Sequence, residues 1–214
     1  MPRPSRQTDQ LLIQAGIELL DQTGFSGLNI RQVALRAGVN LGMFHYHFKT
    51  KDEFTRKVLS QTYEKFFSEF SLESAAKVPS LERLRRALNI LGRFVRDNRR
   101  LILGLTHDVM SGNREVQSFM TQNAPRHIRV MVALVRLCQR EKVIIKAPLV
   151  STLAFLAGSI AAPNLISGFL EQAEIPSVAK GIVKLFRGQV ISDKAISRRV
   201  ELALRGITLS TRRS

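Results

Sequence analysis

Tryptophan is absent from this 214-residue chain, tyrosine occurs twice, and Cys138 is the lone cysteine. One thiol permits no intrachain disulfide and no cysteine-based zinc cage, which suits a reducing compartment and predicts a cytoplasmic protein. The opening MPRPSRQTDQ carries no apolar core and does not read as a secretory signal. Strand-type alternation is scarce and helix formers dominate, so the expected fold class is all-α. Nothing repeats internally, and neither a nucleophile-and-base set, a phosphate-binding glycine loop nor a metal-ligand cluster stands out. Hence no catalytic residue, metal or cofactor is expected.

Long apolar runs are equally rare. The exception is APLVSTLAFLAGSIAAPNLISGFL, residues 147–170, which holds no charge and is long enough to span a bilayer. Ser151, Ser159, Asn164 and Ser167 interrupt it, Pro163 breaks it, and no second span accompanies it. The segment is therefore read as a buried core helix.

Acidic residues are scarce too: 33 Lys/Arg face 17 Asp/Glu, for a net charge of +16 and an isoelectric point near 11.1. That balance predicts an anionic partner. Residues 1–70 hold nine Lys/Arg against seven Asp/Glu, and residues 71–214 hold twenty-four against ten. The excess lies beyond the opening stretch.

What is present is helical periodicity with caps. A first helix is expected from Thr8 or Asp9, burying Leu12, Ala15, Gly16, Leu19 and Leu20 and ending at Gly24, with Phe25 folded back. A short second helix follows Asn29 as its cap, with Gln32 at the reciprocal position, and stops at Gly38. A third runs from about Asn40 to Phe48. A fourth is capped by Thr50 and carries Phe54, Val58, Phe66 and Phe70 on one face. Ser80 opens another helix with Leu81, Leu84, Leu88, Leu91 and Phe94 on one side and Arg83, Arg86, Arg93 and Arg96 on the other. Pro125, Pro148 and Pro176 each suit a first helical turn. The last helix starts at Ser192 and repeats Ile196, Val200, Ala203 and Ile207.

The stretch GVNLGMFHYHFKTK, Gly38 to Lys51, concentrates two of the four histidines around a tyrosine. Wound as a helix with Phe44 inward, it places Phe48 about 40° to one side and Gly42 and Tyr46 nearly opposite. The phenylalanines are then core anchors, and His-Tyr-His is spread around the outside. His45 and His47 point about 160° apart, which disfavours a shared metal. Two short helices joined by a glycine turn behind a longer supporting helix form a helix-turn-helix, whose second helix enters the major groove. Ala34 is small where the helices cross, Gly38 permits the turn, and the outward Gly42 allows close approach to DNA.

Three segments, AGIELLDQTGF, NIRQVALRAGV and GMFHYHFKTKDEF, resemble the N-terminal domain of the TetR family of one-component transcription regulators across residues 8–59. The resemblance implies a helix-turn-helix DNA-binding domain over residues 6–52, the fourth helix 51–71 as connector, and an effector-binding and dimerisation domain over 72–214. It implies a homodimeric repressor that binds a near-palindromic double-stranded operator and leaves it when a small molecule binds. Tyr46, His47 and Lys51 would grip phosphates, with Thr50 capping beside them. Asn29 and Arg31 would meet a phosphate or a base edge, and Asn40, Leu41, Met43 and His45 would face bases. Family members often carry serine or threonine at Asn40 and Met43 and a polar residue at Leu41. Here Leu41 and Met43 would read thymine methyls by apolar contact.

For the second domain, Phe94, Leu101, Leu105, Phe119, Met131 and Phe155 are the candidate pocket walls. The effector is expected to be mostly apolar, and anionic because this part of the chain is so basic. Ala157, Gly158 and Ala161, together with Ile196, Val200, Ala203 and Ile207, are the candidate dimer surface, since small residues allow close helix approach. The competing reading is an architectural DNA-binding protein without an effector, against which the large second domain argues. An enzyme is not expected.

Overall fold

The structure, a computed structural model, describes residues 5–173, 181, 184 and 188–209. Its elements are helices, α1 Ser5–Gly27, α2 Ile30–Arg36, α3 Leu41–His47, α4 Lys51–Ser74, α5 Ser80–Asp97, α6 Arg99–Met110, α7 Arg114–Arg140, α8 Leu149–Ile160, α9 Ala162–Gln172 and, for the last described helix, α10 Asp193–Ile207. Among the described residues, the only β-type pairing is an isolated antiparallel bridge between Ile144 and Thr208. The chain divides into two compact units, residues 1–65 with 100–123 and residues 66–99 with 124–214.

In the first unit, α1, α2 and α3 pack against one another. Leu12, Leu20, Val33, Phe44, Phe54 and Val58 are all buried. Gly16 lets α1 come down onto α4, because a methyl there would lie 2.6 Å from the Phe54 ring and 2.9 Å from Val58 Cγ2. Helix α1 starts earlier than the Thr8 or Asp9 cap expected from sequence, and it runs through Gly24 to Gly27. A helix-interior glycine costs only about 1 kcal/mol, so Gly24 alone does not end a helix whose next turns are supported. The Thr23 hydroxyl donates to the Leu19 carbonyl there, at 3.0 Å. Helices α6 and α7 meet at a turn where Gly112 takes φ +80° and Asn113 Oδ1 accepts from the Val116 amide at 3.1 Å. Tyr63 donates its hydroxyl to the Asn123 carbonyl at 2.7 Å, and Arg56 pairs with Glu115.

In the second unit, α5 packs on α8, α9 and α10, and α8 packs on α9 and α10. Leu84, Leu88, Leu156, Ile160, Ile196 and Val200 are nearly inaccessible. A methyl on Gly92 would stand 2.7 Å from Ile196 Cγ2 and 3.1 Å from Ile160 Cγ2, so this glycine sets how closely three helices meet. The buried Asn164 ties the same crossing together. Its amide donates to the Gly92 and Ile160 carbonyls at 3.2 and 3.0 Å, and its oxygen accepts from Arg199 at 3.2 Å.

Three expectations change here. Pro125 lies inside α7 rather than in a first turn, and the long amphipathic face of that helix carries the chain past the missing N–H. Pro148 does precede a helix, as the residue capping α8, while Pro176 lies outside the described residues. The uncharged run is two helices, α8 and α9, bent by 42° and broken at Ala161. It is not wholly buried: Val150, Phe155, Ile166 and Phe169 are exposed. Among the described residues no single helix is long and apolar enough to cross a membrane.

Candidate nucleic-acid interface

The candidate surface belongs to the first unit and is built from three N-caps and one glycine closure. Asn29 accepts the Arg31 amide at 2.9 Å and starts α2. Gly38, at φ +68°, ends it, with the Gly38 amide on the Leu35 carbonyl and the Val39 amide on the Ala34 carbonyl at 3.1 and 3.0 Å. That paired closure needs a left-handed residue, which glycine supplies without a Cβ penalty. Asn40 then caps α3 by accepting the Met43 amide at 2.9 Å. Finally Thr50 Oγ1 accepts the Glu53 amide at 3.0 Å while Glu53 Oε2 accepts the Lys49 amide at 3.1 Å, a reciprocal closure at the start of α4.

Helix α3 has only seven residues and needs an anchor. Phe44 supplies it, with its ring 5.6 Å from Phe48 and 5.0 Å from Phe54, and Phe48 lies 4.9 Å from Phe54. All three are buried. Edge-on aromatic packing of this kind fixes the helix in rotation as well as position.

With α3 held that way, Gly42, His45 and Tyr46 face solvent, Tyr46 with 75% of its surface free. Asn29, Arg31, Asn40 and Thr50 are exposed, and Leu41, Met43, His47 and Lys51 are half-buried. The structure thus brings α2's start, α3 and α4's start together, with three refinements. Asn40's oxygen is engaged by its cap, which leaves its amide nitrogen as the polar group outside that bond. Gly42 serves that cap, since a methyl would sit 3.2 Å from Asn40 Oδ1. The ring of His47 is packed edge-on against Tyr46 at 5.1 Å, and its Nε2 is buried without a hydrogen-bond partner. His47 also lines a cleft with Asp9, Ile13, Phe48, Glu53, Arg56, Lys57 and Ser60. The sequence reading passed over Lys49, which is exposed beside the cap. The Lys-Thr-Lys run was its signal.

The other candidates distribute differently. Leu101, Leu105 and Phe119 are buried in the first unit, and Phe94, Met131 and Phe155 belong to the second. Phe94 stacks on Phe66 at 4.1 Å, and Phe66 meets His127 edge-on at 5.9 Å. Burial pushes the His127 imidazole below the usual histidine range. Phe155 is 45% exposed on α8, and its ring tip lies 3.8 Å from where a Gly206 methyl would be. Ile196, Val200, Ala203 and Ile207 are buried within the protomer, so they cannot also face a partner. A helix packed on α5 and α8 must spend its regular apolar stripe there. Ala157 and Gly158 are exposed and Ala161 half-buried. The arginines of α5 are already engaged: Arg86 with Glu73 at 3.0 Å and Glu82 at 3.1 Å, Arg93 with Glu69 at 3.6 Å, Arg96 with Asp97 at 2.7 Å and with Asp193, and Arg83 with the Ser74 carbonyl at 2.6 Å.

Residues 12–58 match the family model described as bacterial regulatory proteins, tetR family. Over 69 residues the chain is 35% identical to a probable HTH-type transcriptional regulator, YttP of Bacillus subtilis (strain 168), covering 32% of each protein. Over 102 residues it is 30% identical to the HTH-type transcriptional regulator AcrR of Shigella flexneri, covering 46% of this chain and 47% of that one. The matches thus span less than half the length of these relatives. Among solved structures, the transcriptional regulator FadR from Bacillus subtilis, in complex with stearoyl-CoA, superimposes with a TM-score of 0.65 at 14% identity, over 92% of this chain and 98% of that one.

Proposed function

We propose that this chain is a TetR-family regulator, a cytoplasmic repressor that binds a near-palindromic operator as a homodimer and is released by a small molecule. The observation that carries the reading is the solvent-facing group of Gly42, His45 and Tyr46, held over the Phe44–Phe48–Phe54 cluster and flanked by Asn29, Arg31, Lys49, Thr50 and Lys51. Helix α3 enters the major groove. Asn40, His45 and the apolar edges of Leu41 and Met43 read bases, and Tyr46, His47, Thr50 and Lys51 position the helix on phosphates.

The dimer forms through the exposed apolar faces of α8 and α9, with Val150, Phe155, Ile166 and Phe169, and with Ala157 and Gly158 between them. Among the described residues nothing lies within 4 Å of where a Gly158 methyl would be. No described contact inside the protomer calls for glycine there, whereas a closely approaching partner helix would. Two heads related by a two-fold axis read half-sites about 34–36 Å apart or a multiple of that spacing. The effector is mostly apolar and anionic, in keeping with the excess of basic over acidic side chains beyond residue 70 and with how ligand sites are usually lined. The stearoyl thioester held by the FadR structure is such a molecule.

Selection of bound duplexes from a random library, using the full-length protein, tests the reading. It predicts enrichment of an inverted repeat. An unenriched pool, or affinity unchanged in Tyr46→Ala and Lys51→Ala, would place the interface elsewhere.

A further inference from the structure

The basic excess of the second unit is unevenly neutralised. Arg85, Arg86, Arg93, Arg96 and Arg99 each meet a carboxylate, Arg99 with the nearly inaccessible Glu171 at 2.9 Å. Arg136, Arg140, Lys142 and Lys146 meet none among the described residues, and they surround one groove of about 860 Å³. Its other lining residues are Ala133, Gln139, Ile144 and Leu209, so no acid among the described residues lines it. Four cations crowded without a counter-charge repel one another, and an anion relieves that repulsion.

The groove has a floor as well as a rim. Ala133, Arg136 and Arg140 fall at i, i+3 and i+7 on one stripe of α7. Ile144 is buried at the base, and Leu209 is 46% exposed at one side. The frame is tied down: Ile144 bridges Thr208, the Ile145 amide donates to the Ile207 carbonyl at 2.7 Å, and Gln139 Nε2 donates to the Ala147 carbonyl at 2.8 Å. Helix α7 ends with the Lys142 amide on the Gln139 carbonyl and the Val143 amide on the Cys138 carbonyl. This closure normally takes glycine, yet Lys142 occupies it at φ +55°, the only non-glycine residue with positive φ among those described. The site carries a charge where local backbone preference favours glycine or asparagine.

We propose that this groove binds an amphipathic anion, with an alkyl or aryl body on Ala133, Ile144 and Leu209 and a multiply charged head, such as a phosphate ester, among Arg136, Arg140, Lys142 and Lys146. The volume suits a ligand of that kind. Guanidinium forks and ammonium groups together match a head with several acceptor oxygens. The binding is a property of the second unit and stands whether or not the ligand releases DNA.

Isothermal titration of the full-length protein with octyl phosphate tests this. One site per protomer is expected, with inorganic phosphate and octyl glucoside each at least tenfold weaker. The double variant Arg140→Gln/Lys146→Gln should lose at least tenfold in octyl phosphate affinity. Lys142→Asn, which suits φ +55° better than lysine, should lose severalfold without lowering the unfolding temperature. It therefore serves even if the double variant folds poorly. Titration with octanoate separates a single carboxylate from the doubly ionising phosphate, and weaker octanoate binding is expected. The proposal is overturned if octyl phosphate binding survives both variants, or if inorganic phosphate binds as tightly as octyl phosphate. It is overturned equally if octyl phosphate does not bind while non-operator duplex DNA loses affinity in the double variant.

Discussion

Gly16→Ala joins packing to DNA recognition. A methyl at this position would lie 2.6 and 2.9 Å from two atoms of the Phe54 ring and 2.9 Å from Val58 Cγ2, where ordinary contact begins near 3.4 Å. Both neighbours are buried, Phe54 completely, so neither has free space to retreat into. Over-packing of this kind costs roughly 1–3 kcal/mol, and alanine returns about 1 kcal/mol of helix propensity. Net destabilisation of up to about 2 kcal/mol is expected. The strain has a direction, because Phe54 touches both Phe44 and Phe48, and displacing its ring displaces the anchor of α3. Operator affinity should therefore fall by up to about tenfold, equivalent to about 1.4 kcal/mol. Urea unfolding followed by circular dichroism gives the first quantity, and fluorescence anisotropy with a labelled operator gives the second. Combining the change with Phe54→Leu makes the test specific. The smaller side chain vacates the clash, so the double variant should be less destabilised than the sum of the single ones. Strict additivity, or a Gly16→Ala protein as stable as the parent with unchanged operator affinity, would refute the argument.

Lys51→Ala should weaken binding to operator and non-operator DNA alike and reduce the slope of log affinity against log salt by about one, as for one lost phosphate contact; an unchanged slope removes Lys51 from the interface. Phe169→Glu should convert the dimer to monomer in sedimentation velocity at micromolar concentration while leaving the circular dichroism spectrum intact, and a persisting dimer would put the interface on another face. Burial disfavours the charged form of His127, so its folded pKa lies below the unfolded value near 6.5. The unfolded chain then binds the extra proton, and the stability tied to this group, complete above pH 6.5, is lost as pH falls below it. Unfolding midpoints at pH 7.5 and 5.5 should differ less for His127→Gln than for the parent. Phe44→Ala, which empties a fully buried site among three aromatic rings, should cost about 3–5 kcal/mol and abolish operator binding.

Local chemistry makes the helix-turn-helix legible in the sequence. Asn29, Gly38, Asn40 and Thr50 cap or terminate by rules that act within a few residues, and the four-residue spacing of Phe44 and Phe48 names the inward face of α3 without reference to the rest of the chain. Local chemistry did not show that His47 buries one ring nitrogen, nor that Gly42 is shaped partly by its neighbour's cap. The first is an outcome of tertiary packing, and the second of the rotamer that the Asn40 cap adopts. The end of α1 was misread at Gly24 because a helix stops where its support stops, and a glycine merely lowers the cost of stopping.

In the second unit the sequence determined that helices form and which stripe of each is apolar. It did not determine what each stripe covers. Ile196, Val200, Ala203 and Ile207 form as regular a pattern as any interface, yet α5 and α8 consume it, while Val150, Phe155, Ile166 and Phe169 stay exposed on helices read as core. Charge behaved the same way. Composition fixed the excess of arginine and lysine, but only tertiary structure sorted those on α5, paired with carboxylates both near and far in sequence, from those around the α7 groove, which meet none among the described residues. Periodicity and capping are written in the covalent neighbourhood of each residue. Pairing depends on which distant element arrives, and that is decided by the free energy of the whole packed unit.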